Sequence, residues 1–172
     1  MSQTSNYSVE DVETFLQITR EASAQPERKI MQNLLDVQDK ISIFRGIDPE
    51  ELKAIVYNLQ FVKFKFKDYV VEEGEVNPEI FYIISGECHV FHNNKKVGKL
   101  GKGEVFGESG AIFKTKRNAS VVCASKEAML LSFCIDENNM DFCAPALATI
   151  YKNLASEINA KLQEINASYI KK

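Results

Sequence analysis

The 172-residue sequence has only two histidines, His89 and His92, and four cysteines, Cys88, Cys123, Cys134 and Cys143. Both scarcities exclude chemistry. The histidines stand three apart on one predicted strand, which turns them to opposite faces, so they do not share a metal. A metalloenzyme built on short strands needs several convergent ligands, and the sequence does not supply them. The cysteines lack C-x-x-C spacing and do not cluster as an iron–sulfur site requires. They are expected to be reduced and to serve as small buried hydrophobes. No apolar run approaches the ~20 residues of a membrane span, and no secretory signal opens the chain. A cytoplasmic protein with no membrane partner is expected. There is no P-loop, no dinucleotide fingerprint and no nucleophile–base pair, so the chain does not read as an enzyme, and no metal or other cofactor is expected. A net charge of −3 argues against nucleic acid as a partner, which calls for a basic face.

What the sequence does hold is enough apolar material for a core, 45% of the residues, in a length that suits one domain with helical extensions. The pattern divides it into an N-terminal helical extension over residues 1–40, a region of short strands over 41–135 and a C-terminal helix over 136–172. After a polar start, helices are predicted from Ser8 to about Ala22 and from about Glu27 to Lys40, parted by Pro26. Asp48-Pro49-Glu50-Glu51 is a helix start: a capping aspartate, proline in the first turn, then acids. Phe61 to Lys67 then alternates apolar residues with lysine, as a half-buried strand does, with the lysines on its solvated face. Short strands follow over 68–72, 80–84, 87–91, 96–100, 119–124 and 128–133, with Asn93-Asn94 as a hairpin turn. So many short strands at close spacing predict a β-sandwich or barrel. From Asp141 the period becomes helical, with Leu147, Tyr151, Leu154, Ile158, Leu162, Ile165 and Tyr169 stepping by four and three. At ~1.5 Å per residue that helix exceeds 30 Å, and its stripe suggests a homodimer seam, the alternative being a stripe covered wholly by the chain's own barrel.

The stretch from Gly103 to Val121 carries the candidate chemistry. Gly107 permits a tight bend. Ser109-Gly110-Ala111 can start a short helix whose free N–H groups face an anion. Arg117 can fork two hydrogen bonds onto a phosphate, and Lys114 and Lys116 add attraction at a distance. Glu108 fits beside an anion site if it accepts a hydrogen bond from a sugar hydroxyl on the same ligand. These residues together point to a sugar phosphate. The alternative is an internal Glu108–Arg117 ion pair in a barrel without ligand.

Phe106-Gly107-Glu108 followed by Arg117-Asn118-Ala119-Ser120-Val121 resembles the phosphate-binding cassette of the cyclic nucleotide-binding domain family, F-G-E, a short helix, then R-x-A-[ST]-V. The nine-residue step from Glu108 to Arg117 is the family's usual one. Gly74-Glu75 and Phe81 to Gly86 resemble its earlier glycine turn and central strand. The resemblance implies an α+β fold: a mainly β, jelly-roll-like barrel of short antiparallel strands with N-terminal helices and a long C-terminal helix. It implies a regulatory protein that binds cAMP or cGMP at Phe106, Gly107, Glu108, Ser109, Gly110, Ala111, Arg117, Asn118 and Ala119. Glu108 would take the ribose 2′-hydroxyl, Arg117 the exocyclic phosphate oxygens, and Asn166 in the C-terminal helix could meet the base. Ligand binding would move that helix, signalling through the dimer or to an unidentified effector protein. The sequence departs from the family pattern at Ser109 to Ala111, Lys116 and Asn118. The competing expectation is a degenerate, ligand-free barrel that serves as an interaction or oligomerisation module.

Overall fold

The computed structural model describes residues 38, 41–56, 59–134 and 144–170. The two expected N-terminal helices, apart from Gln38, and Cys143 lie outside the described residues. A 3-10 turn at Ser42–Phe44 leads to helix α1, Pro49–Val56. As its composition predicts, Asp48 Oδ1 caps it by accepting the Glu50 N–H at 2.9 Å. Eight strands follow: β1 Gln60–Lys65, β2 Tyr69–Val71, β3 Glu79–Ser85, β4 Cys88–His92, β5 Lys95–Leu100, β6 Val105–Phe106, β7 Ser120–Cys123 and β8 Glu127–Cys134. Between β6 and β7 lies the short helix α2, Glu108–Phe113, and the described chain ends in α3, Ala144–Ile170.

The strands form two antiparallel four-stranded sheets, ordered β1-β8-β3-β6 and β2-β7-β4-β5. The expected barrel is therefore two sheets rather than one closed cylinder, within the same jelly-roll-like plan. The reason lies in β3 and β8, which are apolar on both faces. Ile80 and Tyr82 of β3, with Leu131 and Phe133 of β8, pack into a cluster with Phe44, Leu52, Ile150 and Leu154 from the helices. Phe81 and Ile83, with Ala128 and Leu130, face the other way against Val71, Cys88, Val121 and Cys123 of the second sheet. Because strand side chains alternate, one sheet is covered by helices on one side and by its partner sheet on the other. β1 lies at the sheet's edge, and Lys63 and Lys65 on it are exposed as the alternation predicted. The Asn93-Asn94 turn has φ of 49° and 60°, the left-handed pair that a two-residue hairpin requires.

Cys88 and Cys123 are opposite each other on β4 and β7, buried and unbonded, in the role expected of them. Burial, then the neighbouring Cys123 and Glu87, pushes the Cys88 thiol up to about 12.

Helix α3 has 27 residues, about 40 Å at 1.5 Å per residue. Its first half docks into the helix-side cluster through Ala146, Ile150 and Leu154, all 0–1% exposed. Asn153 Nδ2 also donates to the carbonyls of Ile43 and Arg45, at 3.0 and 2.8 Å. The buried row is thus Ala146-Ile150-Leu154, with Leu147 and Tyr151 at its flank. The predicted stripe was centred one residue off. Further along, Ile158 and Leu162 are 38% and 54% exposed. For Ile165 and Tyr169 only the backbone is described.

Candidate functional site

Strand β6 ends at Phe106, the chain turns at Gly107 with φ of 85°, and α2 begins at Glu108. This turn closes one side of a cavity of about 210 Å³. Its lining includes Phe106, Gly107, Glu108, Ser109, Gly110, Arg117, Asn118 and Ala119, with Val71, Val90, Leu100 and Val121 supplying apolar wall. Of the nine residues expected to bind the ligand, eight thus meet in one place, although Glu108 and Arg117 are separated by a helix and a loop. Ala111 is the exception. It is 5% exposed and packs into the helix-side core, and its N–H is taken by the Gly107 carbonyl at 3.2 Å. Asn166 is exposed on α3 and is not part of the lining. Lys114 and Lys116 are exposed as well, and Lys114, at the end of α2, has φ of 51°.

Among the described residues, Arg117 is the one charged residue that is buried. It is 4% exposed. Its Nη1 donates to the Gly107 carbonyl at 2.7 Å. Its Nη2 donates to Asn77 Oδ1 at 2.9 Å and to the Glu79 carbonyl at 2.6 Å. The backbone is fixed too, with the Arg117 N–H on the Glu75 carbonyl and the Arg117 carbonyl accepting from Gly74. The guanidinium carbon lies 6.0 Å from the Phe81 ring centroid, and Phe81 stacks on Phe106 at 5.2 Å and 15°. Burial lowers the Arg117 pKa from its ordinary value, while Glu75, Glu79 and Glu108 act to raise it. Three of a guanidinium's five N–H donors are thus used within the protein. Nε is not: it is one of two buried side-chain nitrogen or oxygen atoms, with the Ser42 hydroxyl, that have no partner among the described residues. An unpaired buried donor costs roughly 1–3 kcal/mol, more when charged, and calls for an acceptor.

These contacts give Gly107 a sharper reason than closeness to a ligand. A Cβ there would lie 2.6 Å from Arg117 Nη1 and 2.8 Å from the Glu79 carbonyl, in a backbone conformation that side chains avoid. Glycine lets the arginine pack under the turn.

Glu108 does not pair with Arg117. Its Oε1 lies 3.6 Å from Lys161 Nζ of α3, with the two side chains 15% and 30% exposed. Lys161 also donates to the Val105 carbonyl of β6. The internal Glu108–Arg117 pair entertained from the sequence is replaced by a link from the cavity to the C-terminal helix.

Three residues that the sequence did not assign to the site support it. Asn77 holds both Arg117 and the Glu79 N–H, the latter at 2.8 Å. His92 Nδ1 donates to the Asn118 carbonyl at 2.9 Å and lies 3.0 Å from Glu73 Oε1, tying the β4–β5 hairpin to the loop after Arg117. His89 is engaged elsewhere, with Glu87 at 3.0 Å. Lys161 is the third. No local motif announces any of them, since Asn118, Arg117 and the Val105 carbonyl, which they hold, lie 26, 40 and 56 residues away.

Comparison with known proteins finds a matching family model and similar folds. Residues 61–136 match the model of the family described as the cyclic nucleotide-binding domain. A cGMP-dependent protein kinase of Toxoplasma gondii is 35% identical over 97 residues, covering 55% of this chain and 10% of that protein. The chain spans about a tenth of the length of the curated relatives it matches. A cyclic nucleotide-binding domain from Methylobacillus flagellatus superimposes with a TM-score of 0.65 at 21% identity, covering 79% of this chain and 80% of that one. The catabolite activator protein of Thermus thermophilus superimposes with a TM-score of 0.59 at 22% identity, covering 74% of this chain and 61% of that one. At such identities the superpositions establish the fold.

Proposed function

We propose, from the match of residues 61–136 to the cyclic nucleotide-binding domain model, that the chain is a regulatory protein that binds cAMP or cGMP in the cavity beside Arg117. The observation that supports this most is that Arg117, a buried charged side chain whose Nε has no acceptor among the described residues, lines the cavity. Arg117 pairs with the exocyclic phosphate oxygens, and backbone N–H groups near Gly110 and Asn118 complete the cradle. Glu108 accepts the ribose 2′-hydroxyl. The apolar wall of Val71, Val90, Leu100 and Val121 excludes water and strengthens these charged contacts. The chain contributes recognition rather than catalysis.

Binding is coupled to the position of α3, and the exposed Ile158 and Leu162 lie in a homodimer seam or meet an effector protein. A ligand moves such an equilibrium only through its different affinity for the two states. Asn166 reaches the base only when α3 is displaced toward the cavity, since it is not part of the lining.

One feature favours a second reading. Three donors of Arg117 are already satisfied by Gly107, Asn77 and Glu79, as they would be in a ligand-free interaction module. Calorimetric titration with cAMP and cGMP separates the two: micromolar or tighter binding supports the sensor, and absence of heat and of thermal shift supports the module.

A further inference from the structure

The face of α3 that buries Ile150 and Leu154 changes character one and two turns later. Lys161 lies seven residues after Leu154 and eleven after Ile150, on the same side of the helix. Where that side passes the cavity, the contact is ionic instead of apolar. Lys161 Nζ meets the Val105 carbonyl of β6 and, at 3.6 Å, Glu108 Oε1 at the first residue of α2. Val105 is 1% exposed, and the Glu108 side chain is 15% exposed. An ion pair between two mobile surface chains contributes little. This one is different in kind, because the ammonium is also anchored on a buried carbonyl and the carboxylate is nearly enclosed.

We infer that Lys161 is a positioning residue for Glu108: it fixes the carboxylate through one oxygen and leaves the other free for a ligand hydroxyl, so that α3 and the sugar of the ligand share one carboxylate. The inference rests on the cyclic nucleotide reading of the site for the identity of that hydroxyl. A carboxylate has two oxygens and about four acceptor positions, so Lys161 and a hydroxyl are accommodated together. A carboxylate held in one orientation loses less freedom on accepting the hydroxyl. Coupling between two contacts to one group is reciprocal: if Lys161 improves the hydroxyl contact, the hydroxyl strengthens the hold on α3 by the same factor. The tie also explains where it acts. The distal half of α3 has exposed Ile158 and Leu162, and Lys161 joins it to the strand and helix that frame the cavity.

The test uses the full chain and four variants, Lys161→Met, Lys161→Arg, Glu108→Gln and, as an exposed control on the same helix, Lys152→Met. Each is titrated with cAMP, cGMP and their 2′-deoxy forms, and hydrogen exchange is followed at the backbone amides of residues 155–170. Lys161→Met is expected to lower affinity for the ribonucleotide about tenfold, within the usual range of coupling between sites. The same variant should leave the 2′-deoxy form unaffected, Lys161→Arg should restore most of the loss, and Lys152→Met should behave as wild type. Without ligand, the amides beyond Leu154 should exchange several-fold faster in both Lys161→Met and Glu108→Gln. Equal loss for ribo and 2′-deoxy ligands, or no loss for either, would overturn the positioning role. Unchanged exchange in both variants would overturn the tie itself. A wild-type chain that binds no cyclic nucleotide would remove the functional reading and, with it, the hydroxyl; the exchange data would still decide the tie between Lys161 and Glu108.

Discussion

Arg117 and Glu108 border the same cavity, yet they are held from opposite directions. Arg117 is fixed by the β framework alone: the Gly107 and Glu79 carbonyls, Asn77, and the ring of Phe81. Glu108 is fixed by the C-terminal helix, through Lys161. The difference suggests a division of labour. On the reading proposed above, the half that would take the phosphate is tied to the strands and turns, whereas the half that would take the sugar hydroxyl is tied to α3. The same proposal expects a ligand that engages both halves to influence the helix, and one that engages only the arginine not to.

The largest effect should come from the rigid half. Arg117→Ala removes the buried charge and is expected to weaken cyclic nucleotide binding by ~2–5 kcal/mol, as for one partner of a buried charge pair. Wild-type affinity in a folded Arg117→Ala protein would take the arginine out of the phosphate role. Next is Gly107→Ala, which adds a Cβ at φ of 85° against Arg117 and Glu79. A stability loss of roughly 1–3 kcal/mol is expected in urea denaturation, and the displaced arginine should lower affinity as well. If neither quantity changes, the turn is not the support described above. Glu108→Gln keeps the shape of the side chain and removes its charge. It should cost about 2 kcal/mol of ribonucleotide affinity, the worth of a hydrogen bond to a charged group, with no change for the 2′-deoxy ligand. The smallest effect on the cavity is expected from Ile158→Ser combined with Leu162→Ser. Ligand affinity per chain should stay within about twofold, while sedimentation should show loss of the homodimer, if the stripe is its seam. A dimer that survives both substitutions would move the seam elsewhere.

How far these two halves could be read from the sequence follows the same line. The strands were legible because alternation in β1 and the apolar runs of β3 and β8 are local signals, and α1 announced itself through Asp48 and Pro49. The two-residue strand β6 was not anticipated, since two residues carry no period. The cassette residues Phe106 to Gly110 and Arg117 to Ala119 could be picked out together, because glycine, arginine and carboxylate occur there at a telling spacing. Their partners could not. Asn77 lies 40 residues before Arg117, and Lys161 reaches a carbonyl 56 residues away. A lysine on an amphipathic helix reads as solvent-facing unless the fold is known. Ala111 was misplaced for a related reason: three small residues opening a helix look equivalent in sequence, but a helix turns by about 100° per residue, and the turn carries Ala111 toward the core. The one-residue offset in the α3 stripe has the same origin, because spacings of three and four tolerate two neighbouring choices of face.

The central claim, that the cavity beside Arg117 holds a cyclic nucleotide, is tested most directly by calorimetric titration of the purified chain with cAMP and then cGMP. The account predicts micromolar or tighter binding of at least one, abolished or greatly weakened in Arg117→Ala. No heat and no thermal shift with either nucleotide, from a folded wild-type protein, would contradict it and leave the chain as an interaction module built on the same fold.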